Sequence, residues 1–331
     1  MKWITIVIVL GMAGGAILAY NNIDEMNNDA ANKATVTIAA AKTPLSAPIY
    51  IAEALGFFKK SCVNVVIIDV VGGKNSFDHV MDKKADFGTS SDTVIVFEGM
   101  FRNDFVSLAS FAQSDNDVKM ISHTKANITD NIDIKGKRVG VTQGASGEYL
   151  LSTYLALSGL TNNDVKVSYF PPNKLPQALL DQKVDVIVPW EPYAFESLKT
   201  LNNDAKTLNT KNLNSLMFNL VSHPLDNQEK INQATCVLYA LNEAIHYISS
   251  NSDNARQIIT TRLGADPQFI DWVWPDYIFK LSLNRSLLMN LKSQAIWMIE
   301  SGRVNIDQLP DYRMLLDTRA LEAVNPMSIR L

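Results

Sequence analysis

Short apolar runs alternate with amphipathic stretches along the first half of this chain. Val36-Thr37-Ile38, within Thr35 to Ala40, predicts a buried strand. Pro44 and Pro48 bracket a loop opening a helix from Ile49 to Lys60, with Ile51, Ala54, Leu55 and Phe58 on one face. Val63 to Ile68 is β-branched and continuous, as expected of a strand covered on both faces. Gly72-Gly73 predicts a tight turn, a helix runs through Val80, and Ala85 to Gly88 predicts a third strand ending at Ser90-Ser91-Asp92. Three βα units in a row predict a parallel sheet. After the connecting strands Phe105 to Gln113 and Lys119 to Ser122 the grammar restarts: strand Lys137 to Val141, helix Ser146 to Ser158, strand Val165 to Phe170, helix Leu175 to Gln182, strand Val184 to Val188. Beyond the segment Leu216 to Val221, Asp226-Asn227-Gln228-Glu229 has the capping-box pattern of a long helix, with Ile231, Ala234, Leu238, Leu241, Ile245 and Ile248 inward. From there to Leu331 the pattern is helical, without new βα units, and the late Trp272, Trp274 and Trp297 read as its core.

Such a tail needs a sheet to pack on, and the first α/β unit has the uncovered face. The chain therefore divides into lobe I (35–118 and 223–331) and lobe II (119–222), with crossovers near Gln113 to Ser122 and Leu220 to His223 forming a hinge. His223 is the histidine to watch there. Upstream, Ile4 to Tyr20 is seventeen residues without a charge, preceded by Lys2. Residues 1–22 are expected to be a signal peptide or a membrane anchor and 23–34 a polar tether; both place the rest outside the cytoplasm, periplasmic or otherwise extracytoplasmic.

Composition narrows the function classes. The net charge is −4, and removing residues 1–22 deletes only Lys2 and takes it to −5, which argues against nucleic acid or anionic lipid as partner. Cys62 and Cys236 lie far apart in sequence and are expected to be independent buried thiols, although the compartment would let a bridge persist. No clustered Cys or His spacing suggests a metal, and none of His79, His123, His223 and His246 neighbours a nucleophile and an acid in a recognisable motif, so no enzyme and no cofactor is expected.

Pro48 to Phe58, Gly72-Gly73 with Ala85 to Gly88, Lys135 to Val141, and Val184 to Tyr193 with Trp190-Glu191-Pro192 resemble, in this order and at these separations, the substrate-binding proteins of ABC importers. The similarity is to the nitrate/sulfonate/taurine group that also contains thiamine-pyrimidine-precursor binders, and it covers roughly residues 35 to 331. It implies a type II periplasmic-binding-protein fold: two α/β lobes joined by a two-segment hinge, with the helical C-terminal extension packed on lobe I. It also implies a ligand between the lobes, delivery to an ABC permease in the inner membrane, and no catalysis. Fungal pyrimidine synthases on this fold use a cysteine-rich motif that this chain lacks.

Ligands of open parallel sheets bind beyond the carboxyl ends of the strands. Four such ends supply candidates: Thr43, Pro44 and Ser46; Ser90, Ser91 and Asp92; Gln143, Gly144, Ala145, Ser146 and Gly147; and Trp190 with Glu191. Ser114 at the end of a connecting strand joins them. Plainer readings exist for each: helix caps at Ser46 and Ser91, a tight turn at Gln143 to Gly147, a core ring at Trp190, and a helix-start carboxylate at Glu191. Small residues at Gln143 to Gly147 would leave backbone N–H groups free at a helix start, an anion clamp without formal charge. The expected protein is a monomer that closes on one small polar molecule, a sulfonate, taurine, nitrate or similar. Its rivals are a sensor module for a membrane signalling partner and a pyrimidine-precursor binder, whose amine Asp92, Glu191 and Trp190 could receive.

Overall fold

The computed structural model describes residues 33–306 and 308–331. The apolar run and nearly all of the expected tether lie outside them. Among the described residues no helix is long and apolar enough to cross a membrane.

The first sheet is built from β1 (Ala34–Ala41), β2 (Val63–Val70), β3 (Phe87–Ser91) and β4 (Val106–Ser114), connected by α1 (Ala47–Ala54), α2 (Phe57–Lys60), α3 (Gly72–Met81) and α4 (Asp92–Gly99). The chain then crosses to a second sheet of β5 (Ile121–His123), β6 (Arg138–Val141), β7 (Lys166–Tyr169), β8 (Val186–Ile187) and β9 (Ala205–Thr207), with α5 (Ser146–Leu157), α6 (Leu175–Leu180) and α7 (Tyr193–Leu201). It returns through β10 (Leu216–Ser222) and ends with α8 (Gln228–Ser250), α9 (Ser252–Leu263), α10 (Pro267–Val273), β11 (Tyr277–Asn284), α11 (Arg285–Glu300), α12 (Arg319–Val324) and β12 (Ile329–Arg330).

The strand orders are β12-β11-β4-β10-β3-β1-β2 and β7-β6-β8-β5-β9. β2, β1 and β3 run parallel, as do β7, β6 and β8, so the βα units form as their pattern predicts. Asn227 caps α8 by accepting the Lys230 N–H, and Ala234, Leu238, Leu241 and Ile248 are buried on its inner face against α1, α2 and α12.

The structure corrects several expectations. β2 is an edge strand, with Val66 half exposed, because no further strand pairs beyond it. The helix expected over 49–60 breaks at Gly56, whose φ of +70° is left-handed, a conformation that a residue without Cβ adopts most readily. The tail is not all helical: β11 pairs antiparallel with β4 and extends the first sheet. β10 lies between β3 and β4, every one of its residues buried, so the return crossing is the segment 208–215 and lobe II ends there rather than at 222. His223 consequently sits at the far end of β10, its Nδ1 3.0 Å from the Asp104 carbonyl. Cys62 and Cys236 are bridged, Cα to Cα 5.5 Å, tying the start of β2 to α8. Folding brings together two cysteines that 174 residues of sequence keep apart.

Candidate ligand-binding site

Two groups of residues form where the strand ends of one sheet meet the other lobe. The first lies at the crossover. The strand-like segment Asp117–Lys119 pairs with the continuation of β8: Lys119 N–H donates to the Pro189 carbonyl (2.9 Å) and Glu191 N–H to the Asp117 carbonyl (3.2 Å). Lys119 Nζ is 2.8 Å from Glu191 Oε1, both side chains being essentially inaccessible to solvent. Trp272 Nε1 from α10 also donates to Oε1 (2.8 Å), and Phe195 N–H in the first turn of α7 donates to Oε2 (3.0 Å). Both oxygens of Glu191 are therefore engaged by the protein, which leaves its role as anchor of the crossover and of α7. Beside it the buried Asp117 accepts from Tyr277 Oη (2.6 Å); burial pushes its carboxyl up to about 7. Ser114 Oγ accepts the Asn116 N–H (3.1 Å) in the same turn. Trp190 is half-buried, edge-on to Tyr193 at 6.1 Å.

The second group spans the lobes away from the crossover. Asp92, at the start of α4, is 1% exposed; Oδ1 accepts Thr93 N–H (3.0 Å), and Oδ2 accepts from Gln294 (3.0 Å) and Asn290, both on α11. Burial pushes its carboxyl up to about 7 against these bonds. In lobe II, α5 begins where β6 ends, and Gly147 lies so close to the end of β8 that an added Cβ would collide with the Val188 carbonyl oxygen. Gly144 rests on the Phe97 ring of α4, an ideal Cβ lying 3.8 Å from Cζ. Its N–H is not free: Glu148, in the first turn of α5, accepts it at Oε2 (2.7 Å). The Glu148 carboxylate, buried, meets Arg303 Nη2 at 2.9 Å. Arg303 lies over the Trp297 ring (4.9 Å), and that ring meets Tyr149 edge-on (5.3 Å). Burial first, and then the Asp92 charge, raise the Tyr149 hydroxyl above its ordinary range, so the two lobes face each other here.

The remaining candidates are internal. Ser46 Oγ donates to the Ala41 carbonyl (2.7 Å), Thr43 Oγ1 accepts the Leu45 N–H (3.4 Å) beside buried Pro44, and Ser91 caps α4 through Val94 N–H (3.4 Å). Ser90 is fully buried under the Gly73 carbonyl (3.4 Å). Gln143 is exposed, Ala145 is half-buried and Ser146 is buried at the mouth of α5.

Sequence reasoning missed Glu148, Tyr149, Gln294, Trp297 and Arg303. The helix-start carboxylate three residues after Ala145 was a readable sign, since Glu is favoured in a first turn. Of the three late tryptophans expected in the core, Trp274 is buried and Trp297 packs half-buried against that core with its ring under Arg303, whereas Trp272 is 41% exposed and donates to Glu191. A surface groove of about 520 Å³ lies elsewhere, beside Cys62 and Cys236, lined by exposed amides of α8 such as Gln228 and Asn232 without convergent charge.

The pattern of strand ends facing one another across two crossovers has known counterparts. The NMT1/THI5-like family model matches residues 43–255. The chain belongs to that family. Its fold is that of the periplasmic aliphatic sulphonate-binding protein of Escherichia coli (TM-score 0.73, 17% identity, 86% of this chain and 92% of that one). It is shared by the alkanesulfonate-binding protein of Xanthomonas axonopodis pv. citri bound to MOPS (0.70, 17%, 86% and 98%). The periplasmic nitrate-binding protein of Synechocystis PCC 6803 has it too (0.68, 12%, 89% and 89%). At these identities the likeness fixes the fold, a type II periplasmic-binding architecture. Curated relatives named as binding proteins, one from Brucella abortus strain 2308, are 35% identical over 60 residues, so the chain spans about a fifth of their length (19%).

Proposed function

We propose that this protein is an extracytoplasmic solute-binding protein, not an enzyme, that closes its lobes on one small polar ligand and hands it to an ABC importer. The observation that carries the reading is a connected set of buried polar atoms without a protein hydrogen-bond partner: Thr93 Oγ1, Glu148 Oε1, Gln294 Oε1, Trp297 Nε1 and Arg303 Nε. Buried polar groups are rarely left unpaired, so a cluster of five on facing lobes supports a ligand that completes them. Donors and acceptors are both represented, favouring a ligand that has both, such as taurine, above a bare anion such as nitrate. The proposed contacts are Thr93, Gly144 to Gly147, Tyr149, Gln294, Trp297 and Arg303, with Asp92, whose oxygens already accept from Thr93, Gln294 and Asn290, positioning Gln294. Glu191, Ser46 and Ser90 are left out because their polar atoms are already engaged.

Closure would turn on the segments 115–120 and 208–215, with lobe I taken as 33–114 plus 216–331 and lobe II as 115–215. The Cys62–Cys236 bridge supports an oxidising, extracytoplasmic compartment. The likeness to the sulfonate- and nitrate-binding proteins named above supports an importer as partner. Native mass spectrometry of the purified protein, followed by thermal-shift screening of alkanesulfonates, taurine, nitrate and pyrimidines, tests the reading. A bound small molecule or a saturable rise in melting temperature is expected, and the absence of both across the panel would overturn it.

A further inference from the structure

Arg303 is a cation that folding brings to the start of α5, and it is already paired. Its Nη2 lies 2.9 Å from Glu148 Oε1, but the pair is out of line for a hydrogen bond: Arg303 Nε and Glu148 Oε1 each remain without one. Beside them the Trp297 indole N–H is a second buried donor without an acceptor, on a ring over which the guanidinium lies. The other Glu148 oxygen holds Gly144 N–H. Glu148 thus fills, with a carboxylate, the place at the start of α5 where the helix dipole, a glycine N–H and a guanidinium all favour negative charge. An oxyanion has the same charge and can present a pair of oxygens to the same guanidinium.

Resting on the solute-binding reading, we propose that Arg303 is the oxyanion-binding residue of the site and that Glu148 is its resident competitor, so that the ligand's oxyanion binds by exchanging for Glu148 on Arg303. Simple addition is disfavoured by the charges that face the guanidinium. Glu148 stands alongside it, so an anion arriving without displacing Glu148 would crowd a second acidic group around one cation. Exchange keeps the count of charges on Arg303 constant. It also releases Gly144 N–H, giving the incoming oxyanion three donors: Arg303, Trp297 Nε1 and Gly144. An arginine whose fork is only half used is well suited to take a bidentate oxyanion.

The exchange makes an unusual prediction, because removing a charged residue from the site should strengthen binding. Dissociation constants of methanesulfonate and nitrate would be measured on the full chain by tryptophan fluorescence and calorimetry at constant ionic strength. Glu148→Gln keeps an oxygen for Gly144 N–H while deleting the competing charge, and should tighten both probes roughly tenfold, the scale of one charge-assisted hydrogen bond. Arg303→Gln should weaken both by at least about tenfold, and the double variant should lose the gain of Glu148→Gln. Arg303→Lys keeps the charge without the fork, so it should retain the melting temperature of the unliganded protein yet bind both probes more weakly. Unchanged or weaker binding by a folded Glu148→Gln, or unchanged binding by Arg303→Gln, would overturn the proposal. If neither the wild type nor Glu148→Gln takes up any oxyanion, the exchange is overturned too; a neutral or cationic ligand found by native mass spectrometry would then still sustain the solute-binding reading.

Discussion

Lys119→Met is the sharpest test of how the crossover is held. Lys119 Nζ and Glu191 Oε1 are 2.8 Å apart with side-chain exposures of 2% and 0%, so the ammonium has no water to replace and the carboxylate none to fall back on. Methionine fills nearly the same volume without the charge. What remains is Glu191 buried with two N–H donors, from Trp272 and Phe195, and Asp117 beside it without the nearby cation. Breaking a buried pair in this way costs about 3–5 kcal/mol, and the two surviving hydrogen bonds set the expectation near the lower end, about 3 kcal/mol. Lys119→Met/Glu191→Gln should recover part of that, because the charge that had to be desolvated is gone, while the single amide oxygen can accept from Trp272 or from Phe195 but not from both. Urea unfolding followed by far-ultraviolet circular dichroism reads both, with an unchanged slope showing that the unfolded states are comparable. A single variant within about 0.5 kcal/mol of the wild type, or a double variant no better than the single, would refute the reasoning.

Replacing both Cys62 and Cys236 by Ser opens a loop whose ends are 174 residues apart, an unfolded-state entropy of about 5 kcal/mol at most, and calorimetry should show a lower melting temperature that reductant no longer alters; equal midpoints for oxidised and double-Ser protein would sink the idea. Burial pushes the Asp92 carboxyl up to about 7 in the folded protein against an ordinary 3.8, so the folded state holds the extra proton between these values and stability falls as pH rises through that window, by about 1.4 kcal/mol per unit for this group. Asp117 contributes in the same direction, so Asp92→Asn should flatten the profile without abolishing its slope, and an unaltered profile would contradict the assignment. Gly147→Ala forces a methyl group into the Val188 carbonyl and should cost about 1–3 kcal/mol, which thermal unfolding would show as a clear loss.

The βα grammar was legible because each unit announces itself locally. A β-branched run, a glycine turn and a 3.6-residue stripe are properties of ten or twenty neighbouring residues, and β1 to β3 and β6 to β8 formed where those signals lie. What failed to show was anything decided by pairing at a distance. β2 has the composition of a central strand and is an edge, because which strand ends the sheet depends on strands encoded elsewhere. β11 lies in a stretch of helical periodicity and becomes a strand because β4 presents it with an unpaired edge. The return crossing was placed too late for the same reason, since Leu216–Ser222 is equally apolar whether it closes one sheet or is inserted into the other.

The site divides along the same line. Asp92 and the Gly144–Gly147 loop could be nominated from sequence because strand-to-helix junctions have a local signature, and both stand where the lobes face each other. Trp190 and Glu191 share that signature, yet Glu191 is claimed by Lys119, whose position 72 residues earlier gives no hint of the partnership. The four loops hold no Arg or Lys apart from Lys42 at an edge, which suggests an anion held by neutral donors and is sound for the loops alone. Under the exchange proposed above, Arg303 reverses that reading from 155 residues downstream of Glu148, delivered by a tail whose tryptophans have the pattern of packing. A two-lobed binding protein makes this the rule, since a cleft between lobes is lined by segments that meet only after both lobes have folded and the tail has crossed back. Charge in such a site is therefore set last, by the element with the least to say about function on its own.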